Sequence, residues 1–190
     1  MNFLPLKTNN KIKNKRNGFT LVETLVAISI LLMAVVAPLV LISGNIAIIS
    51  AAKDKITATY LAEDAIDFVK YKIDTNFNSS NPNWLTGLDN CTGGNLCQID
   101  SYNDTIDPYT GSVLKFDSNA TSPTRGIYGY TSSWQDTKFT RTVTVTSVAN
   151  DPYPAMAPQE VIITATVSWQ DHGVNKPPIT ISEHAFSWGI

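Results

Sequence analysis

A single carboxylate interrupts a long uncharged stretch of this chain. From Phe19 to Ile42 the only ionisable side chain is Glu23, and no other charge appears before Lys53. An ionised carboxylate is costly in an apolar medium unless a cation meets it, so an acid in such a run is by default a functional residue in need of a partner. Two situations fit its position. Glu23 sits about one helical turn inside the run, from which it can snorkel to interfacial water. Alternatively, scission of the Gly18-Phe19 bond would create an α-amino group four residues before Glu23, a cation able to neutralise it in low dielectric.

Other chemistry-bearing residues are sparse. Cys91 and Cys97 enclose Thr-Gly-Gly-Asn-Leu, and the glycines let so short a loop close. On an oxidising side of a membrane this pair is expected to form a disulfide worth about 2 kcal/mol; the alternative is two reduced thiols. A zinc centre wants four ligands, and the only histidines, His172 and His184, are distant in sequence. Asp100, Asp104 and Asp107 lack the ligand order of an EF-hand loop. There is no Gly-rich phosphate loop after a strand, no nucleophile elbow and no His-Glu-x-x-His helix, so neither an enzyme nor a cofactor is expected.

The elements around Glu23 set its context. Residues 1–18 carry Lys7, Lys11, Lys13, Lys15 and Arg16 without an acid, and this basic leader masks an acidic remainder in the net charge of -2. Bulk charge of that sign argues against a nucleic-acid partner, which needs a clustered basic face. As a helix the uncharged run would span roughly 36 Å, enough to cross a bilayer core. It is too long for the apolar part of an ordinary secretory signal, and the nearest small-residue cleavage position ends at Ala37, directly before Pro38. The leader keeps residues 1–18 cytoplasmic, so the expected topology is N-in, C-out.

With those residues in place, Gly18-Phe19-Thr20-Leu21-Val22-Glu23, behind a basic leader and ahead of an apolar helix, closely resembles the processing motif of type IV prepilins and type II secretion pseudopilins. The resemblance implies that a prepilin peptidase cuts after Gly18 and methylates the new amine on Phe19. It also implies that Glu23 pairs with the terminal amine of a neighbouring subunit during filament assembly. The partners it implies are the peptidase, other pilin subunits and an inner-membrane assembly platform. Localisation would be the bacterial inner membrane and, after assembly, a cell-surface filament. Some pseudopilins bind calcium, which leaves a site among Asp100, Asp104 and Asp107 open. Many pilins close a loop near the C-terminus with a disulfide, whereas Cys91 and Cys97 lie earlier.

Downstream, Pro38 and the Ser43-Gly44 pair are expected to bend or loosen the helix. Helical patterning then resumes: Ile49, Ala52 and Ile56, followed by Ala58, Leu61, Ala62, Ala65, Ile66, Val69 and Ile73, form an apolar stripe opposite Glu63, Asp67, Lys70 and Asp74. A helix continuous to about Asp74 would reach roughly 84 Å. The segment 75–83, rich in Asn and Ser, ends it. Residues 76–125 read as a variable connection with one short strand, Val113 to Phe116. Period-2 strands follow at 139–146 and 161–169, and a third run at 179–188 changes apolar phase near Glu183, the signature of a bulge. Gly126 to Thr131 reads as a further marginal strand. The three-proline loop from Asn150 to Pro158 is either a contact surface or a passive crossover.

The expected fold is α+β, an N-terminal helix packed on a C-terminal antiparallel sheet. Its divisions are leader 1–18, transmembrane half 19–42, amphipathic half 43–75, connection 76–125 and sheet 126–190. The helix from Thr57 to Phe77, the strands KFTRTVTVTSV and VIITATVSWQDHG and the final Phe186-Ser187-Trp188 are similar to small minor pilins of the PilV and GspI type. Two function classes result: a processed subunit of a type IV pilus or secretion pseudopilus, or a membrane-anchored extracytoplasmic binding domain or adhesin that does not polymerise. Only the first has a use for the Gly18-Phe19 junction and for Glu23.

Overall fold

A computed structural model describes residues 18–79, 83–148 and 158–187. The leader up to residue 17, nearly all of the Asn150 to Pro158 loop, and Trp188 lie outside the described residues. The chain is a helix followed by antiparallel sheet, an α+β fold, and it divides into two compact units at Ile49.

In the first unit, Gly18, Phe19 and Thr20 are non-helical and α1 (Leu21–Asn78) begins at once. Every described side chain from Phe19 to Val36 is exposed. The helical backbone runs through Pro38 and Gly44 without a break.

In the second unit, Ala58, Leu61, Ala62, Ala65, Ile66, Val69 and Ile73 are buried, the face that a 3.6-residue period predicts. The stripe starts later than expected. Ile49 and Ile56 are 67% and 57% exposed, because Ile56 lies two residues, about 200° of rotation, from Ala58 and so faces away from the core. The helix also ends later than the polar segment 75–83 suggests. Asn76 Nδ2 donates to the carbonyls of Trp84 and Thr86 at 3.0 and 2.9 Å, and Phe77 stacks on Trp84 at 5.7 Å. These tertiary contacts hold a last turn that propensity alone would let fray.

The connection 76–125 supplies part of the main sheet. After a 3-10 turn at Asp89–Cys91 come β1 (Cys97–Asp100) and β2 (Thr105–Pro108), an antiparallel hairpin. Next come the two-residue strands β3 (Lys115–Phe116), β4 (Tyr128–Gly129) and β5 (Gln135–Asp136), then β6 (Phe139–Ser147), β7 (Glu160–Asp171), β8 (Val174–Asn175) and β9 (Ile179–Phe186). The main sheet runs β2-β1-β6-β7-β8, with β9 also pairing β7. The marginal strand expected at Gly126 to Thr131 shrinks to β4 and leaves the main sheet, forming a separate order β4-β3-β5. Asp100 at the end of β1 accepts the Tyr130 N–H at 2.8 Å and so holds this second sheet against the first, and a Cβ at Gly129 would lie 3.0 Å from Asp100 Oδ1 and from the Trp134 ring, a tight fit that favours glycine.

Both long strands bury one face as their alternation predicts: Phe139, Val143 and Val145 from β6, and Val161, Ile163, Ala165, Val167 and Trp169 from β7. Each fully buried aliphatic side chain contributes roughly 1.5–3 kcal/mol. The bulge expected near Glu183 is absent, since β9 pairs β7 in unbroken register from Glu160↔Phe186 to Val167↔Ile179. Strand alternation puts Glu183 in the half-buried phase of Ile179, Ile181 and Ala185, where Lys70 on α1 meets it at 2.7 Å. Lys70 stays partly solvated, and the contact raises its pKa, chiefly through the hydrogen bond to Glu183.

Candidate processing and assembly site

The junction residues precede helical structure. A Cβ built on Gly18 would meet nothing within 4 Å, and Phe19 is 77% exposed, so nothing described shields the Gly18-Phe19 bond. The helix start is built locally. Thr20 Oγ1 accepts the Glu23 N–H at 3.2 Å, and the Thr20 carbonyl accepts the Thr24 N–H at 3.2 Å. Thr20 is therefore the N-cap and Glu23 the third helical residue, the spacing of a capping box. The sequence reading passes over Thr20, although Thr-x-x-Glu ahead of an apolar run is the signal that reveals it.

This geometry gives Glu23 a second electrostatic role. In the first turn it meets the partial positive charge of unsatisfied backbone N–H groups. An amine created on Phe19 would place a full positive charge at the same helix end, where the dipole disfavours it and a nearby carboxylate offsets it. Among the described residues the Glu23 carboxylate is exposed and has no ion-pair or hydrogen-bond partner. It is thus available to an amine of its own chain or of another.

The helix that follows is apolar on every described face, with Leu21, Leu25, Ile28, Leu32 and Met33 all more than half exposed. A helix that is hydrophobic all round is stable only among other apolar surfaces. Among the described residues no helix is long and apolar enough to cross a membrane. The side chains of Ala37, Val40 and Leu41, which belong to the uncharged run, are outside that description.

The remaining sequence candidates lie in the second unit and do not converge. Cys91 and Cys97 are joined in a disulfide with Cα atoms 4.9 Å apart, both fully buried. The turn between them has Gly93 and Gly94 at φ +64 and +85, a conformation that L side chains rarely adopt. Asp100 is consumed by the N–H groups of Tyr102, Asn103 and Tyr130 and by Asn103 Nδ2. Asp104 pairs with Lys72 at 2.7 Å, and Asp107 is exposed on β2. Among the described residues no three His, Cys, Asp or Glu side chains gather to hold a metal. His172 pairs with Asp171, and His184 Nδ1 lies 2.6 Å from Glu160 Oε1.

Sequence reasoning also left Arg141 without a role. It is fully buried on the inner face of β6, where Nη1 donates to the Leu61 carbonyl at 2.9 Å and to Asp64 Oδ2 at 2.6 Å, and Nη2 donates to the Ile99 carbonyl at 2.6 Å. One guanidinium thereby ties α1, β1 and β6 together. The signal was present: a charged residue in an inward phase must bring its partners with it.

A helix that starts just after the exposed Gly18-Phe19 bond and is followed by antiparallel sheet matches the fold of type IV pilin-like proteins. The model of the prokaryotic N-terminal methylation motif matches residues 13–37, which takes in the end of the leader, Gly18, Phe19, Glu23 and the first part of α1. No curated protein and no solved structure matches the chain.

Proposed function

We propose that the chain is a prepilin-type filament subunit. A prepilin peptidase cuts after Gly18 and methylates Phe19. The apolar part of α1 then anchors the chain in the inner membrane, N-in and C-out, until it packs among the helices of other pilin subunits on an assembly platform. The observation that carries this reading is the coincidence of the methylation motif at 13–37 with a helix start whose described side chains are all exposed. Moving those side chains from lipid into a bundle of like helices gains packing rather than burial from water, so a specific polar contact is needed to fix the register of neighbours. Glu23, unpartnered at the helix start, supplies it.

The role is non-enzymatic. The likeness of the second half of α1, β6, β7 and β9 to small minor pilins supports a minor pilin or pseudopilin rather than the main filament subunit.

Glu23→Gln keeps the helix start and removes the charge. It should leave processing intact and reduce incorporation into sheared filaments at least tenfold in a host with a complete assembly system. Normal incorporation would remove Glu23 from assembly and favour the membrane-anchored binding domain.

A further inference from the structure

The outward face of the main sheet carries a polar groove. Thr140 on β6 pairs in register with Ser168 on β7, and Gln170 on β7 pairs with Asn175 across the β7–β8 hairpin. These four side chains, with Lys138 and Lys176, line a groove of about 640 Å³, and Val113 and Pro178 give it an apolar wall. Its volume lies within the range of small-ligand sites.

The charge balance and hydrogen-bonding capacity of this groove select its occupant. Lys138 Nζ pairs with Asp54 at 2.6 Å and Lys176 Nζ with Asp171 at 3.5 Å, so each positive charge at the groove is balanced by a carboxylate and the groove carries no net cationic excess. The Thr140 and Ser168 hydroxyls lie 2.7 Å apart. The side-chain amides of Gln170 and Asn175 have no hydrogen-bond partner among the described residues, and each offers two N–H donors and a carbonyl acceptor. Neutral groups that both donate and accept, beside an apolar wall, match a ligand with closely spaced hydroxyls and a C–H face. Two further hydroxyl rows continue along the same sheet face, Thr142, Thr166 and Thr180, then Thr144, Thr164 and Ser182, with contacts of 3.1 Å for Thr166 to Thr180 and 2.9 Å for Thr164 to Ser182. A ligand longer than one sugar unit would find the same chemistry beyond the groove.

We propose that this groove binds a neutral oligosaccharide, with Gln170 and Asn175 exchanging hydrogen bonds with its hydroxyls and Val113 and Pro178 packing on a sugar face. The proposal goes beyond the filament reading and stands whether or not the chain polymerises. The test uses the full chain in a detergent without a sugar headgroup, applied to an array of linear neutral oligosaccharides (maltotriose, cellotriose, N,N′,N″-triacetylchitotriose) alongside sialylated and sulfated ones. Retention on at least one neutral oligosaccharide is expected, weakened at least tenfold by Gln170→Ala with Asn175→Ala. Thr140→Val with Ser168→Ala serves as a second variant should the first fail to fold, and the same weakening is expected. Retention only on sialylated or sulfated glycans, retention unchanged in the variants, or no retention at all would each overturn the proposal.

Discussion

Glu23 has two constraints acting on one carboxylate. As the third residue of α1 it favours the helix start, and as the only acid in an apolar run it needs a cation. The cap belongs to Thr20, which makes a separable prediction: Thr20→Ala should cost about 1 kcal/mol of local helix stability, read as faster amide exchange at Glu23 and Thr24. Unchanged exchange would mean that the cap contributes nothing. The acid was legible in the sequence because it stands alone. The cap was overlooked because the residues around it also spell a processing motif, and one reading hid the other.

Asp117 shows what local sequence leaves out. The hydroxyls of Ser122 and Thr124, outweighing burial, hold its pKa below the usual 3.8 together with the Asn119 N–H. Since this carboxylate titrates lower in the folded than in the unfolded chain, its contribution is fully present above the unfolded value and is lost as pH falls through the folded one. Protection of the Asn119 amide, which donates to Asp117 Oδ1 at 2.9 Å, should therefore fall below about pH 3.8. A loss of protection centred at or above about pH 3.8 would contradict this.

Elements with a sustained period were the legible ones. β6 and β7 bury the residues that their alternation selects, and α1 does so from Ala58 onward. The hairpin β1–β2 was missed because its four-residue strands are too short for a period to show, and its position depends on Asp100 and on pairing with β6. The change of phase at Glu183 was read as backbone irregularity when it was a side-chain pairing, invisible until Lys70 is placed opposite. Arg141 offers the sharpest test at this scale. Removing one partner of a buried pair strands a charge, whereas replacing the charged group by an apolar one of similar volume does not. Asp64 is partly exposed, so water softens the first effect. Asp64→Asn should still lower the melting temperature of the detergent-solubilised chain more than Arg141→Met does. The reverse order would show that the ties from Arg141 to the Leu61 and Ile99 carbonyls, rather than its ion pair, dominate.

On the scale of the whole molecule, the two units present different surfaces to their surroundings. Residues 50–190 contain the buried core, the sheet and the disulfide, all features of a domain that can stabilise itself. The described residues before Ile49 hold almost nothing buried and carry the methylation motif. A chain with that division needs an apolar environment for its first part, and a filament of like helices provides one without lipid. The first measurement is the N-terminal mass of the protein co-expressed with a prepilin peptidase. A mature chain that begins at methylated Phe19 is the predicted result, and a chain that still begins at Met1 in that competent host would contradict the processed-subunit assignment.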